Sequence, residues 1–254
     1  MHWIYLSPHL DDVVLSVGGL VWEQAQAGEN PAIWSICAGD PPPPPYTPFA
    51  EELHERWQVG PGELSQAGRR AEDADSCRAL GVPYRHSDVP DCIYRRLPDG
   101  QPTIDVRDSL FRPFPAGEAY LVRQIAAWIA QELPADARLV SPLCLGGHID
   151  HWLVRAAAES LGKPVWYYAD YPYVIDDPLE HHDLRPSLRG LPIALRQPLS
   201  GAALAAWQAG IAAHRSQIST FWGSLAEMQA KISQYYAEGG GGSILWSHDS
   251  HKST

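Results

Sequence analysis

The sequence predicts an α/β fold with a Rossmann-like, three-layer arrangement, in which helices cover both faces of a mostly parallel sheet. Short apolar runs rich in β-branched and aromatic residues alternate with longer segments at helical spacing. Two of these runs, residues 3–6 and 138–143, end in turns that carry histidine and aspartate. Ligands of open α/β sheets bind at the carboxyl ends of the strands, so we expect a site at that edge.

The first predicted strand, residues 3–6, ends at Pro8, which cannot continue a sheet. A helical pattern begins at Val13, so the intervening turn places His9, Asp11 and Asp12 between a strand and a helix. His9 and Asp12 are three residues apart and can converge on one point, whereas Asp11 faces elsewhere. A second interpretation is that one aspartate only caps the helix, which contributes about 0.5–2 kcal/mol.

The middle of the chain predicts two more strands, residues 32–37 and 84–87, and two helices, residues 51–57 and 62–80. The prolines from Pro41 to Pro45 cannot enter the sheet, so they predict a stiff surface loop beside the site. We expect this loop to shape one wall of a pocket, and recognition of the prolines by a partner protein is the alternative.

The second motif follows the strand at residues 138–143, which the helix at residues 119–133 precedes. Gly146 and Gly147 form the turn, and His148, Asp150 and His151 stand at the start of the next helix. If the two motif-bearing strands are neighbours, both motifs open on the same edge. His9, Asp12 and His151 then supply three metal ligands and leave a fourth position, as catalytic zinc sites do, while His148 and Asp11 remain as acid and base.

The rest of the chain predicts a strand at residues 165–168 and helices at about 201–218 and 225–236. We expect one domain over residues 1–254, with a motif-bearing core at about 1–175 and a helical C-terminal region at about 176–254. His181 and His182 lie in a polar loop and are expected to be solvated, whereas His248 and His251 lie in a polar tail that is expected to fray.

The motifs resemble those of the PIG-L (LmbE-like) family of zinc-dependent de-N-acetylases. Pro8-His9-Leu10-Asp11-Asp12 is similar to the family's Pro-His-Pro-Asp-Asp-Glu, and His148-Ile149-Asp150-His151 to its His-x-x-His. Three shorter segments agree with the family pattern: Arg69-Arg70-Ala71-Glu72, Pro90-Asp91 and His214-Arg215-Ser216-Gln217. Leu10 and Val13 depart from the pattern, but neither position is a ligand in the family.

The resemblance implies removal of an acetyl group from an N-acetylglucosamine-like part of a glycoconjugate, with Zn²⁺ as cofactor and Fe²⁺ as the alternative. It implies that Arg69 contacts the substrate and is held by Glu72, and Asp91 is expected either to bind a sugar hydroxyl or to stabilise a turn. Asp11 is the expected base. His148, positioned by Asp150, is expected to stabilise the oxyanion and protonate the leaving amine.

Composition excludes several other classes. The net charge of −11 and the lack of a basic stripe argue against nucleic-acid binding, and no apolar run is long enough for a membrane span. Four cysteines without a Cys-x-x-Cys pair predict reduced thiols, and Cys144 is expected to be buried at a strand end rather than to act as a nucleophile or ligand. The first strand begins without a signal-peptide pattern, so we expect a cytoplasmic protein. A nucleotide-binding protein is disfavoured because no glycine-rich phosphate loop follows the first strand. A metal-containing binding module and a hydrolase of another bond, such as a phosphoester, stay open, as does a homo-oligomer.

Overall fold

The computed structural model of the chain describes residues 2–57, 65–176, 191–239 and 241–248. The described strands form one seven-stranded sheet, with the spatial order β3-β2-β1-β4-β5-β7-β6 once the strands are numbered along the chain. They are β1 (His2–Ser7), β2 (Pro31–Ser35), β3 (Tyr84–His86), β4 (Ala137–Pro142), β5 (Val165–Tyr168), β6 (Ile193–Arg196) and β7 (Ile244–Trp246).

Strands β1 to β5 are parallel, which confirms the predicted mostly parallel α/β sheet. Tyr5 of β1 pairs with Ile33 of β2 on one side and with Val140 of β4 on the other. The antiparallel strands β7 and β6 extend the sheet beyond β5. The sequence did not predict these two strands, which pair only with residues remote in the chain.

Helices cover both faces of the sheet, as the three-layer prediction requires. Helices α1, α3 and α7 pack against one another, and α4 packs against α5. The described helices of more than one turn are α1 (Asp12–Gln26), α2 (Pro48–Arg56), α3 (Ser65–Leu80), α4 (Ala119–Glu132), α5 (Ile149–Ser160), α6 (Tyr173–Asp176), α7 (Gly201–Ala213), α8 (Arg215–Phe221) and α9 (Leu225–Ala237). The helix predicted at 201–218 is therefore two helices, which meet at His214.

Trp207 anchors the C-terminal helices to the helix that follows the first motif. Its indole Nε1 donates a hydrogen bond of 2.6 Å to the carbonyl of Val14, and the side chain is fully buried. A Cβ atom at Gly18 would lie 2.7 Å from the Trp207 ring, and one at Gly19 would lie 2.7 Å from the side chain of Leu199. Glycine is needed at these positions of α1 because the two helices pack so closely.

Replacing Trp207 with alanine is expected to destabilise the protein by about 3–5 kcal/mol, because it removes a buried indole and leaves a cavity. Urea unfolding followed by circular dichroism measures this loss. Trp128→Ala is the matched control, since Trp128 is only partly buried on α4 and should cost less. Equal losses for both variants would contradict the anchoring role.

The sheet order brings the two motifs together. β1 and β4 are neighbours, although more than one hundred residues separate them, and the strand order reverses between them. This is the topological switch point at which open α/β sheets bind their ligands. Among the described residues, no helix is long and apolar enough to cross a membrane. His181, His182 and His251 lie outside the described residues, and the single domain over 1–254 stays a prediction.

Candidate metal centre

The first motif forms a tight turn between β1 and α1. The carboxylate of Asp12 accepts a 2.7 Å hydrogen bond from the backbone N–H of His9, and Oδ2 lies 3.1 Å from His9 Nδ1. Asp11 stands at the N-cap, yet within the described part of the chain its side chain accepts no capping hydrogen bond. The hydroxyl of Ser7 accepts one from Val13 N–H instead. The capping interpretation therefore does not account for either aspartate.

The second motif forms a left-handed turn before α5. Gly146 and Gly147 both have φ of +78°, and a Cβ at Gly146 would lie 2.5 Å from the ring of Tyr173. His148 then caps α5, because its Nδ1 accepts a 3.2 Å hydrogen bond from the N–H of Asp150. A neutral imidazole that accepts at Nδ1 carries its proton on Nε2, so His148 presents an N–H donor to its surroundings.

The two motifs converge at the edge of the sheet. The ring centroid of His9 lies 5.6 Å from that of His151 and 4.8 Å from that of His148. Asp12 Oδ2 lies 3.4 Å from His151 Nε2 as well as 3.1 Å from His9 Nδ1. One carboxylate oxygen therefore faces both imidazoles, at the point where the sequence predicts a cation.

The donor atoms fit a metal ion. His151 Nδ1 pairs with Asp170 Oδ1 at 2.5 Å, and Nε2 is buried without a hydrogen-bond partner in the described part of the chain. A metal-binding histidine usually donates a hydrogen bond from its other ring nitrogen to a carboxylate, which fixes the orientation of the ring. Burial lowers the pKa of His151, but Asp12 and Asp170 raise it overall to about 9, so this position favours positive charge.

Candidate ligand atoms cluster around these histidines. Among the described residues, three groups have ligand atoms within 4.8 Å of one another: His9, His148 and His151; Cys92, His148 and Asp150; and His9, Asp91 and Asp150. Each group contains His9 or His148, so the groups describe one cluster rather than separate sites. The cluster is a candidate site for a divalent metal.

Asp11 lies beside this cluster and faces Arg69. Its Oδ1 is 3.7 Å from Arg69 Nη2, and both side chains are more than nine-tenths buried. Burial raises the pKa of Asp11 to about 6, against the lowering effect of Arg69 and with a further increase from Asp12. A carboxylate with a pKa near neutrality can take up and return a proton, which is what a general base must do.

Arg69 is held differently from the prediction. Its guanidinium lies between Asp11 and Asp91, with Nη1 3.8 Å from Asp91 Oδ2, and stacks over the ring of Trp57 at 4.6 Å. Glu72 does not hold it. The Glu72 carboxylate instead accepts hydrogen bonds from the backbone N–H and the hydroxyl of Ser216, the latter at 2.6 Å. The predicted Arg69–Glu72 contact was wrong because the glutamate fixes the start of α8.

Asp91 stabilises a turn, which is one of its two predicted roles, and its contact with a sugar stays a prediction. Its Oδ1 accepts a 3.2 Å hydrogen bond from the N–H of Ile93, which stabilises the turn. Its Oδ2 lies 3.9 Å from His9 Nε2 and faces Arg69. The turn therefore fixes the carboxylate at the edge of the cluster, where a polar ligand can reach it.

Asp150 contacts different groups from those predicted. Its Oδ2 lies 3.1 Å from His9 Nε2, and its Oδ1 lies 2.7 Å from the guanidinium of Arg95. Its backbone N–H donates a hydrogen bond to His148 Nδ1, while its carboxylate orients His9. Burial, His9 and His151 hold the pKa of His148 well below its usual value, although Asp150 raises it, as expected.

Three buried supporting residues were missed by the sequence analysis. Arg95 pairs with Asp150 and, through two hydrogen bonds of 2.8 and 2.9 Å, with Glu118. Asp170 lies two residues beyond the end of β5, so its place just past a strand end was a usable signal. Arg95 and Glu118 lie in irregular segments without a motif, and no sequence signal identifies them. Cys144 is a buried thiol, as predicted.

Residues 4–161 match the sequence profile of the PIG-L family, which is described as GlcNAc-PI de-N-acetylase. The chain belongs to the PIG-L family. Its relatives include the 2'-N-acetylparomamine deacetylases of Niallia circulans, 27% identical over 186 residues, and Streptomyces fradiae, 29% identical over 176 residues. The first alignment covers 67% of each protein, and the second covers 67% of this chain and 57% of the relative.

Solved structures of deacetylases share the fold of this PIG-L protein. The zinc-inhibited form of teicoplanin deacetylase Orf2 superposes with a TM-score of 0.77 and 27% identity, over 97% of each chain. The A40926 pseudoaglycone deacetylase Dbv21 gives a TM-score of 0.71 and 27% identity, over 96% of each chain. The resemblance found in the motifs is therefore confirmed at the level of family and fold.

Proposed function

We propose that this PIG-L protein is a metal-dependent deacetylase that hydrolyses the acetamido group of an N-acetylated sugar within a glycoconjugate. The observation that carries the proposal is the convergence of Asp12 Oδ2 on His9 and His151, beside the buried carboxylate of Asp11. The named relatives are deacetylases of 2'-N-acetylparomamine and of teicoplanin, and they support the substrate class.

The proposed ligands are His9, Asp12 and His151. A carboxylate holds one nitrogen of each imidazole: Asp150 contacts Nε2 of His9, and Asp170 contacts Nδ1 of His151. The other nitrogen of each ring faces Asp12. His148 is the poorer ligand, because its Nδ1 accepts a backbone hydrogen bond and its Nε2 carries the proton. Two imidazoles and one carboxylate suit zinc, and Fe²⁺ accepts the same donors.

Asp170→Asn is expected to weaken metal binding by about 10–100-fold, because the amide no longer fixes and polarises the imidazole of His151. Competition with a chromogenic chelator measures the affinity without reference to activity. Glu132→Gln is the control, since Glu132 is an exposed carboxylate that pairs with Arg85. Unchanged affinity in Asp170→Asn would contradict the assignment of His151.

When bound, zinc supplies a Lewis acid that activates water and polarises the acetamide carbonyl. Asp11 takes the proton from the attacking water, and the carbonyl carbon becomes tetrahedral as the new C–O bond forms. The C–N bond then breaks, and Asp11 returns its proton to the departing nitrogen. Acetate and a free amine on the sugar are the products. One carboxyl group can serve both steps because its pKa of about 6 lies near neutrality.

His148 stabilises the oxyanion. Its Nε2–H donor is fixed by the hydrogen bond at Nδ1, so it needs no reorientation as negative charge develops on the carbonyl oxygen. The sequence assigned it the additional role of protonating the amine. We assign that role to Asp11, because burial and the neighbouring imidazoles lower the pKa of His148, so its ring is neutral and holds no imidazolium proton to donate to the amine.

Arg69 and Asp91 are the proposed sugar contacts. Their side chains face each other at the edge of the cluster, and Arg69 Nε is buried without a hydrogen-bond partner in the described part of the chain. A donor and an acceptor side by side match the hydroxyl groups of a sugar ring. A cytoplasmic location and a homo-oligomer also stay predictions.

Acetate release from a panel of N-acetylated sugars, combined with elemental analysis of the purified protein, tests the proposal. The panel contains N-acetylglucosamine glycosides, an N-acetylated aminoglycoside and an N-acetylated glycopeptide, with 4-nitrophenyl phosphate as the probe of phosphoester hydrolysis. We expect about one equivalent of zinc and acetate from at least one member. Metal with phosphate release and no acetate would favour a phosphoesterase, and metal without any product would favour a binding module.

A further inference from the structure

A cavity of about 400 Å³ lies beside the metal centre, at the same edge of the sheet. One wall comes from the proline-rich loop after β2, a second from residues 90–96 after β3, and a third from the first turn of α4. This volume falls in the range of small-molecule sites, roughly 300–1,000 Å³. The proline-rich loop therefore shapes a pocket wall, as the sequence predicted, and the reaction proposed above does not use this pocket.

Proline and tyrosine rings make up much of the walls. Three prolines of the loop and three tyrosines, Tyr46, Tyr94 and Tyr120, line the cavity. Tyr94 is fixed by a 2.6 Å hydrogen bond between its hydroxyl and His54 Nε2, and its ring packs 5.7 Å from that of Tyr46. Charged side chains at the walls are few, namely Asp40, Arg95 and Arg96. Such walls recognise a planar apolar group rather than a sugar, whose hydroxyls need hydrogen-bond partners.

Residues 90–96 separate the cavity from the metal centre and contribute to both. Pro90 and Ile93 line the cavity, whereas Asp91 Oδ2 lies 3.9 Å from His9 Nε2 on the other side. Arg95 joins the two, because it lines the cavity and its guanidinium lies 2.7 Å from Asp150. The two compartments are thus one chain segment apart, so different parts of one substrate can occupy them.

We propose that this cavity binds an aromatic aglycone attached to the N-acetylated sugar, an inference that rests on the deacetylase function proposed above. The polar pair Arg69 and Asp91 serves the sugar, and the tyrosine- and proline-lined cavity serves the group beyond its glycosidic bond. Specificity of this enzyme for its conjugate then comes from the cavity, while the chemistry comes from the metal centre.

Deacetylation rates of two matched glycosides test this. The wild-type kcat/KM for 4-nitrophenyl N-acetyl-β-D-glucosaminide is expected to exceed that for the methyl glycoside by about tenfold, the gain of one buried aromatic contact. Tyr120→Ala should abolish most of this preference through KM and leave the methyl glycoside unchanged. Tyr120 is 49% exposed, so its loss should not affect folding, and Tyr84→Ala, at a tyrosine 43% exposed on β3, is the matched control.

Equal kcat/KM for the two glycosides, or a preference that survives Tyr120→Ala, would overturn the cavity assignment and leave the deacetylase function intact. Calorimetric binding of 4-nitrophenyl β-D-glucosaminide gives a second readout that does not require turnover. If no member of the panel releases acetate but binding of this ligand is weakened by Tyr120→Ala and not by Tyr84→Ala, the proposed function fails and the aromatic-binding role of the cavity stands.

Discussion

Asp11→Asn is expected to reduce turnover by about 10²–10⁴-fold and to leave the metal content unchanged. The substituted asparagine keeps the size of the side chain, but an amide cannot accept the proton of the attacking water or return it to the amine. The metal should stay, because the carboxylate of Asp11 faces Arg69 rather than the imidazoles of His9 and His151. Acetate release and elemental analysis of the same preparation check both halves of the prediction.

Asp88→Asn is the control for this change, because Asp88 is an exposed aspartate that follows β3 at the same edge of the sheet. It should retain full turnover. Loss of zinc from Asp11→Asn would show that Asp11 is a ligand and that the division of roles between the two aspartates is wrong. Retention of wild-type turnover would remove Asp11 from the mechanism altogether.

The central part of the fold could be predicted because its signals are local. β1, β2, β4 and β5 are short, largely apolar runs that end at a proline, glycine or polar turn, and β3 is a short run, Tyr84–His86, followed by a polar turn. The antiparallel strands β6 and β7 could not be predicted. β7 pairs with β5, the last strand of the parallel part, and β6 pairs with β7, so long-range contacts decide their conformation rather than a local pattern.

In the site, too, the local signals could be predicted and the long-range contacts could not. The motifs predicted which residues meet, since neighbouring parallel strands deliver their following turns to one edge. Side-chain partners were predicted less well, because they depend on rotamers and on segments that are remote in sequence. Glu72 contacts Ser216 instead of Arg69, and Asp150 contacts His9 and Arg95 instead of the ring of His148. Such contacts separate a ligand from a residue that only orients it.

His148→Ala is expected to lower kcat by about 10²–10³-fold while one equivalent of zinc remains bound. The substitution removes the Nε2–H donor that faces the developing oxyanion, but it removes no proposed ligand. His151→Ala should lose the metal as well as activity, because its Nε2 faces Asp12 and its Nδ1 is held by Asp170. Zinc content of the two variants, measured beside kcat and KM, separates the two roles.

The zinc contents of His148→Ala and His151→Ala decide between two sets of ligands for the metal. If zinc is held by the three imidazoles of His9, His148 and His151, both variants lose it; if Asp12 replaces His148, only His151→Ala does. Loss of the His148 side chain also removes the N-cap of α5, which costs about 1 kcal/mol and is visible as a small drop in unfolding midpoint. That loss is too small to release the metal by unfolding. Zinc loss in His148→Ala would therefore mean direct coordination by His148, and the oxyanion would then need another donor.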